Sequence, residues 1–115
     1  MLSAKKTEHF KQLLETRIAE LEHVLATAQQ ETRAVTARHA DPADQAASEY
    51  ERQSLVYKAA TARQMLKTLT QALERMRQGS FGECAECGGD IETKRLEAIP
   101  WARYCVKCQG AREQG

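Results

Sequence analysis

Four cysteines in two tight pairs, Cys84-Ala-Glu-Cys87 and Cys105-Val-Lys-Cys108, carry the strongest chemical signal in the chain, with 17 residues between the pairs. Two such knuckles at a separation of about 15–20 residues place four thiolates tetrahedrally around Zn²⁺ at roughly 2.3 Å. Gly88 and Gly89 follow the first pair, where the chain must turn sharply for backbone N–H groups to face the sulfurs. Four thiolates and one Zn²⁺ leave a double negative charge, and Lys94, Arg95, Arg103 and Lys107 lie close enough in sequence to offset it. With every ligand supplied by protein the site is closed, so the expectation is one structural zinc per chain and no catalytic position. Two disulfides are the competing reading of an even cysteine count, but they need an oxidising compartment. The opening MLSAKKTEHF lacks the apolar stretch of a secretory signal. A redox CxxC would sit in a βαβ pattern, and neither pair does. His9, His23 and His39 are remote from the cysteines in sequence and read as solvated helix residues.

A second group of side chains is acidic. Asp41-Pro42-Ala43-Asp44 offers an N-cap, Pro at N1 and an acid at N3, which is enough to start a helix. The charge distribution goes further than capping requires. Residues 41–52 hold Asp41, Asp44, Glu49 and Glu51 against Arg52, a net −3, whereas residues 53–77 hold Lys58, Arg63, Lys67, Arg75 and Arg77 against Glu74, a net +4. An acidic point on a basic shaft suits a deep site containing Mg²⁺ and basic groups.

The elements that must carry these residues follow from punctuation and period. All six Gly and all four Cys lie after residue 78, and residues 1–78 contain one breaker, Pro42. In the first segment Leu14, Ile18, Leu21, Leu25, Ala28 and Thr32 recur at the alternating four and three of a coiled coil. In the second, Leu55, Ala59, Ala62, Leu66, Leu69 and Leu73 do the same, and Met76 extends the row. In an antiparallel hairpin, facing residues have numbers with a constant sum. Pairing Leu14 with Leu73, Ile18 with Leu69, Leu21 with Leu66, and so on to Thr32 with Leu55, gives 87 each time. The fold axis then falls between Ala43 and Asp44, at the Asp-Pro turn signal. The seam tapers from Leu and Ile toward Ala and Thr, so the base should be firm and the distal third close to marginal. Helices of this length make a rod on the order of 50 Å long, more than a core of this size requires. A plain helical hairpin or half of a larger bundle explains the heptads equally well. The fold class expected is mainly α: an antiparallel two-helix coiled-coil hairpin over 1–78 with an acidic tip at 41–46, then a four-cysteine zinc module and a short C-terminal helix over 79–115.

Bulk composition narrows the function. A chain of 115 residues is one domain's worth, with no room for a large enzyme. Lys plus Arg is 17 and Asp plus Glu is 16, so the net charge of +1 lacks the cationic field of sequence-independent nucleic-acid binders and of membrane-surface proteins. No window approaches the roughly 18 consecutive apolar residues of a membrane span. A cytoplasmic monomer that neither meets a membrane nor binds specific DNA directly is expected.

The chain resembles the DksA/TraR family of bacterial transcription factors. Asp41-Pro42-Ala43-Asp44-Gln45-Ala46 is similar to the family's DxxDxA signature. Phe81-Gly82, CAECG, Ile91, Lys94-Arg95-Leu96-Glu97-Ala98, Pro100 and YCVKC resemble its zinc finger over the finger's length. The resemblance covers roughly residues 5–110. It implies a regulator that enters the secondary channel of RNA polymerase and changes promoter open-complex stability, with Asp41, Asp44 and Ala46 at the acting tip, Arg95 in support, and no enzymatic turnover. Longer members carry an extra segment before the hairpin, whereas the first helix here starts near Ser3. Members that answer to the stringent-response alarmone ppGpp are basic at the positions of Thr68, Ile99 and Gln109, so an appreciable ppGpp response is not expected. Two other classes of function fit parts of the sequence: a zinc-finger nucleic-acid-binding module using Lys94, Arg95, Arg103 and Lys107, and a thiol sensor that releases zinc on oxidation.

Overall fold

The computed structural model describes residues 2–37 and 42–114, the side chains of 42–44 excepted. Four helices follow in order: α1 Ala4–Ala37, α2 Pro42–Gln78, α3 Thr93–Ala98 and α4 Val106–Gln114. An isolated antiparallel bridge pairs Glu83 with Asp90. The ends of the long helices are set by local chemistry. The Ser3 hydroxyl accepts the Lys6 N–H at 3.2 Å, and the Ser3 carbonyl accepts the N–H and the hydroxyl of Thr7 at 2.9 and 3.0 Å, so α1 begins on a capped turn. Pro42 occupies the first position of α2, where its missing N–H costs nothing. At the other end Gly79 adopts φ 83°; its N–H bonds the Met76 carbonyl at 3.1 Å and the Ser80 N–H bonds the Arg75 carbonyl at 2.9 Å, closing a Schellman motif.

The chain forms two compact units, Ala19–Lys67 and the remainder on either side of it. The composition boundary at residue 78 falls inside the second of these. In the unit 19–67, Ala28, Val35, Leu55, Ala59 and Ala62 are buried, and Leu21, Leu25, Thr32 and Leu66 are half-buried. Thr32 keeps its hydroxyl satisfied beside the seam by donating to the Ala28 carbonyl at 2.7 Å. A shallow groove of about 340 Å³ is lined by Gln29, Thr32 and Arg33 from α1 and by Val56, Ala59 and Arg63 from α2. These stretches lie side by side, as facing numbers near 87 require. The expected fold axis between Ala43 and Asp44 nevertheless lies inside α2, which is helical from Pro42. Pro42 starts the second helix ahead of that axis, and residues 38–41 lie outside the described residues. Val35, three residues past Thr32, continues the heptad row and is buried, so apolar packing reaches farther toward the tip than the taper implied.

In the other unit, Leu14, Leu69 and Ala72 are buried, with Ile18 and Leu73 half-buried. Its main cluster joins Phe10 of α1 to Cys84, Ile91, Leu96, Ala102 and Cys105, with Leu2, Leu13, Met76 and Phe81 among the residues packed against it. The rings of Phe10 and Phe81 lie 5.9 Å apart. The cysteine module therefore completes its interior with side chains of α1 and α2, as expected for a segment too short to bury a core alone. No helix among the described residues is long and apolar enough to cross a membrane.

Candidate metal centre

Each cysteine pair is shaped by its own backbone. In the first knuckle the Cys84 N–H bonds the Gly89 carbonyl at 2.7 Å, and the Cys84 carbonyl accepts the Gly88 N–H at 2.9 Å. That closure puts Gly88 at φ 75°, which a residue with a Cβ rarely adopts. It also aims the Gly89 N–H at Cys87 Sγ, 3.4 Å away. In the second knuckle the Cys108 N–H points to Cys105 Sγ at 3.5 Å and the Gln109 N–H to the Cys105 carbonyl at 2.9 Å, so Cys108 sits in the first turn of α4. The segments around the two knuckles are joined by the Ala85 N–H to the Arg103 carbonyl at 2.8 Å.

The four sulfurs all lie within 4.8 Å of one another, and Cys87 Sγ and Cys105 Sγ are 4.0 Å apart. Metal–sulfur bonds of about 2.3 Å in a tetrahedron imply sulfur separations near 3.8 Å, whereas a disulfide needs about 2.05 Å. All four cysteines are free thiols. Geometry and donor set therefore fit a tetrahedral zinc held by Cys84, Cys87, Cys105 and Cys108. Without metal the sulfurs are unequal. The Cys87 N–H, helped by those of Cys105 and Glu86, outweighs burial and holds the Cys84 thiol down to about 6. Hydrogen bonding to Cys105, then burial and the other two sulfurs, push Cys108 up to about 12.

Two of the four basic residues expected to offset the thiolates, Arg95 and Arg103, are engaged with Tyr104. Arg95 Nε donates to the Tyr104 carbonyl at 2.8 Å. The guanidinium groups of Arg103 and Arg112 lie 5.5 and 4.4 Å from the centre of the Tyr104 ring, and Arg112 also pairs with Glu86 at 3.3 Å. Glu92 accepts the Val106 N–H at 3.2 Å and so caps α4, a helix with no buried residue. Arg75 donates to the Trp101 carbonyl at 3.2 Å; burial first, and the charge of Arg103 second, lower its pKa. His9, read from sequence as solvated, is half-exposed and meets Glu97 at 3.2 Å, linking α1 to α3. These contacts escape sequence reasoning because their partners are distant in the chain and no local pattern marks them.

The tip residues divide differently. Asp41 and the side chain of Asp44 lie outside the described residues, and Ala46 is exposed on α2. Thr68, Ile99 and Gln109 line one groove of about 370 Å³ together with Arg95, Trp101 and Arg103. The three positions singled out as uncharged thus share a concavity with Arg95.

Comparison with known proteins follows the same two parts. The profile of the prokaryotic dksA/traR C4-type zinc finger matches residues 79–114. The RNA polymerase-binding transcription factor DksA of Caulobacter vibrioides is 34% identical over 117 residues, covering 98% of this chain and 80% of the relative. An uncharacterized protein of Aquifex aeolicus is 49% identical over 43 residues, which span 37% of this chain and 30% of that protein. Among solved structures, the transcription factor DksA2 of Pseudomonas aeruginosa superposes with a TM-score of 0.91 at 28% identity, over 97% of this chain and 86% of that one.

Proposed function

The chain belongs to the DksA/TraR family, and from that premise we propose that it regulates bacterial transcription by binding RNA polymerase. The observation that carries this reading is the similarity to a polymerase-binding factor over 98% of the chain, hairpin as well as finger. The hairpin enters the secondary channel, and Asp41 and Asp44 act electrostatically near the catalytic Mg²⁺. One zinc per chain, held by Cys84, Cys87, Cys105 and Cys108, is structural: it fixes the two knuckles and the start of α4, and the protein performs no turnover. The protein is a cytoplasmic monomer and acts without an appreciable ppGpp response, because a polyanionic nucleotide needs converging Lys and Arg. In the groove lined by Thr68, Ile99 and Gln109, Arg95 already donates to a backbone carbonyl and Arg103 lies against the Tyr104 ring.

The competing nucleic-acid reading is weakened by the commitments of Arg95 and Arg103 to Tyr104 and by the near-neutral net charge of +1. One experiment separates the two. Purified protein is incubated with bacterial core RNA polymerase and, in the same buffer, with duplex DNA. Co-elution with polymerase and none with DNA is the expected result; retention by DNA alone would transfer the function to the finger.

A further inference from the structure

One face of α2 in the unit 19–67 is unusual for the solvent side of a helix. At about 100° per residue, Ala46, Tyr50, Ser54, Tyr57, Thr61 and Gln64 fall on one stripe. All are exposed, and Tyr50 and Tyr57 have 78% and 75% of their surface in solvent. The buried Leu55, Ala59 and Ala62 lie toward the other side of the helix. No stripe residue carries a charge, although charged residues make up 29% of the chain. The centres of protein interfaces are likewise depleted of charge and enriched in Tyr. Nucleic acid and anionic membranes need Lys or Arg on the contacting face, and a small molecule needs a concavity that a convex helix face does not offer.

The stripe is complementary to itself. In a two-fold pair of antiparallel helices, facing residues have numbers with a constant sum, and every contact occurs twice. Tyr50 with Thr61 and Ser54 with Tyr57 both give 111, and Ala46 with Gln64 gives 110, so each larger side chain of one copy meets a smaller one of the other. Charge follows the same register. The acidic stretch 41–52, net −3, comes level with 59–70 of the second copy, which holds Arg63 and Lys67 and no acid, a net +2. Glu51 and Lys58 are exposed on the same edge of the stripe and sum to 109, so each copy's glutamate is brought within reach of the other's lysine. A parallel pair in register would instead set every glutamate against its own copy. We propose that this stripe is where two copies of the chain pair, antiparallel, about a two-fold axis between Leu55 and Val56. One helix face per copy is at the small end of interface size, so the pair is weak and forms as concentration rises. The pairing stands without the polymerase reading above, and one consequence rests on it: residues 42–46 lie along the second copy's helix in the pair, so the single chain is the form that acts on polymerase and the pair is a reserve.

The test is sedimentation equilibrium of the full chain in reducing buffer, from about 1 μM to about 1 mM. The average mass should rise toward that of two chains, and less steeply in high salt, where the charges are screened. Tyr50→Ser combined with Tyr57→Ser changes only exposed side chains, so helical circular dichroism should be retained while association weakens roughly thirtyfold or more, the typical cost of truncating interface anchors. Glu51→Lys sets lysine against Lys58 across the axis and should weaken association severalfold; Glu51→Lys with Lys58→Glu opposes unlike charges again and should recover it. An unaltered chain that stays single at the highest concentration, or a folded tyrosine variant that pairs as before, would overturn the proposal. So would a double charge exchange that fails to recover what Glu51→Lys lost, because that recovery requires the antiparallel register. With core polymerase, the complex should hold one chain; two chains in it would overturn the reserve, and no complex at all would remove the polymerase reading while the sedimentation result still decides the pairing.

Discussion

At the scale of single residues, the metal centre rests on an inequality among four identical thiols. Cys84 is held down to about 6 by the Cys87 N–H, so near neutral pH it is mostly thiolate, whereas Cys108, pushed up to about 12, keeps its proton until a metal displaces it. Zinc uptake by the reduced, metal-free protein at pH 7 should therefore release at least the Cys108 proton. Calorimetry in two buffers of different ionisation enthalpy measures that number; no proton release would contradict the assignment. The sign for Cys84 is the reverse of the usual basic-group case. Its depressed pKa contributes stability to the metal-free fold that is present above the unfolded pKa and lost as pH falls through about 6. Acid should therefore loosen the site from the Cys84 side. The clustering of the four sulfurs was legible in the sequence because a knuckle is local: two cysteines, a turn and a glycine within six positions. The His9–Glu97 pair was not, since its members are 88 residues apart and each looks like an ordinary helix residue alone.

At the scale of elements, the long helices were legible because a heptad repeated through many turns averages out individual exceptions, and because Pro42 and Gly79 mark ends with definite backbone chemistry. The exceptions are informative. Ala72 is buried beside the expected heptad row, as happens when a small residue widens a seam beyond strict a and d positions. Helix α3, six residues long, is too short to show a period, and it is placed by Leu96 at the centre of the cysteine cluster's core. Phe10 belongs to that core from α1, in a position that periodicity alone assigned no role. Phe10→Ala should cost about 3–5 kcal/mol by transfer and cavity terms. That is a large part of a typical domain's roughly 5–15 kcal/mol. Thermal melting followed by circular dichroism should shift down by several degrees or more, with the helical signal at low temperature mostly kept because the seam residues of 19–67 are untouched. An unchanged melting curve would mean that the finger does not depend on α1.

At the scale of the molecule, the family reading joins a structural metal module to an acidic motif that capping alone can explain, and only function separates the two explanations of that motif. Asp44 stands at N3, two residues after Pro42, so Asp44→Asn leaves the cap residue in place and should lose a few tenths of a kcal/mol of helix-dipole interaction at most. The fold and the finger should survive it, and so should competition for polymerase, because the substitution changes one side chain at the end of the hairpin and keeps its size. The charge is what disappears, and with it any electrostatic influence near the catalytic Mg²⁺. The most direct measurement is therefore the half-life of a preformed promoter open complex in a purified system, with no added factor, with the unaltered protein and with Asp44→Asn at matched polymerase occupancy. The unaltered protein is expected to change the half-life severalfold and Asp44→Asn to leave it near the factor-free value. Full activity of Asp44→Asn, or no effect of the unaltered protein on a polymerase it occupies, would contradict a tip that acts on transcription.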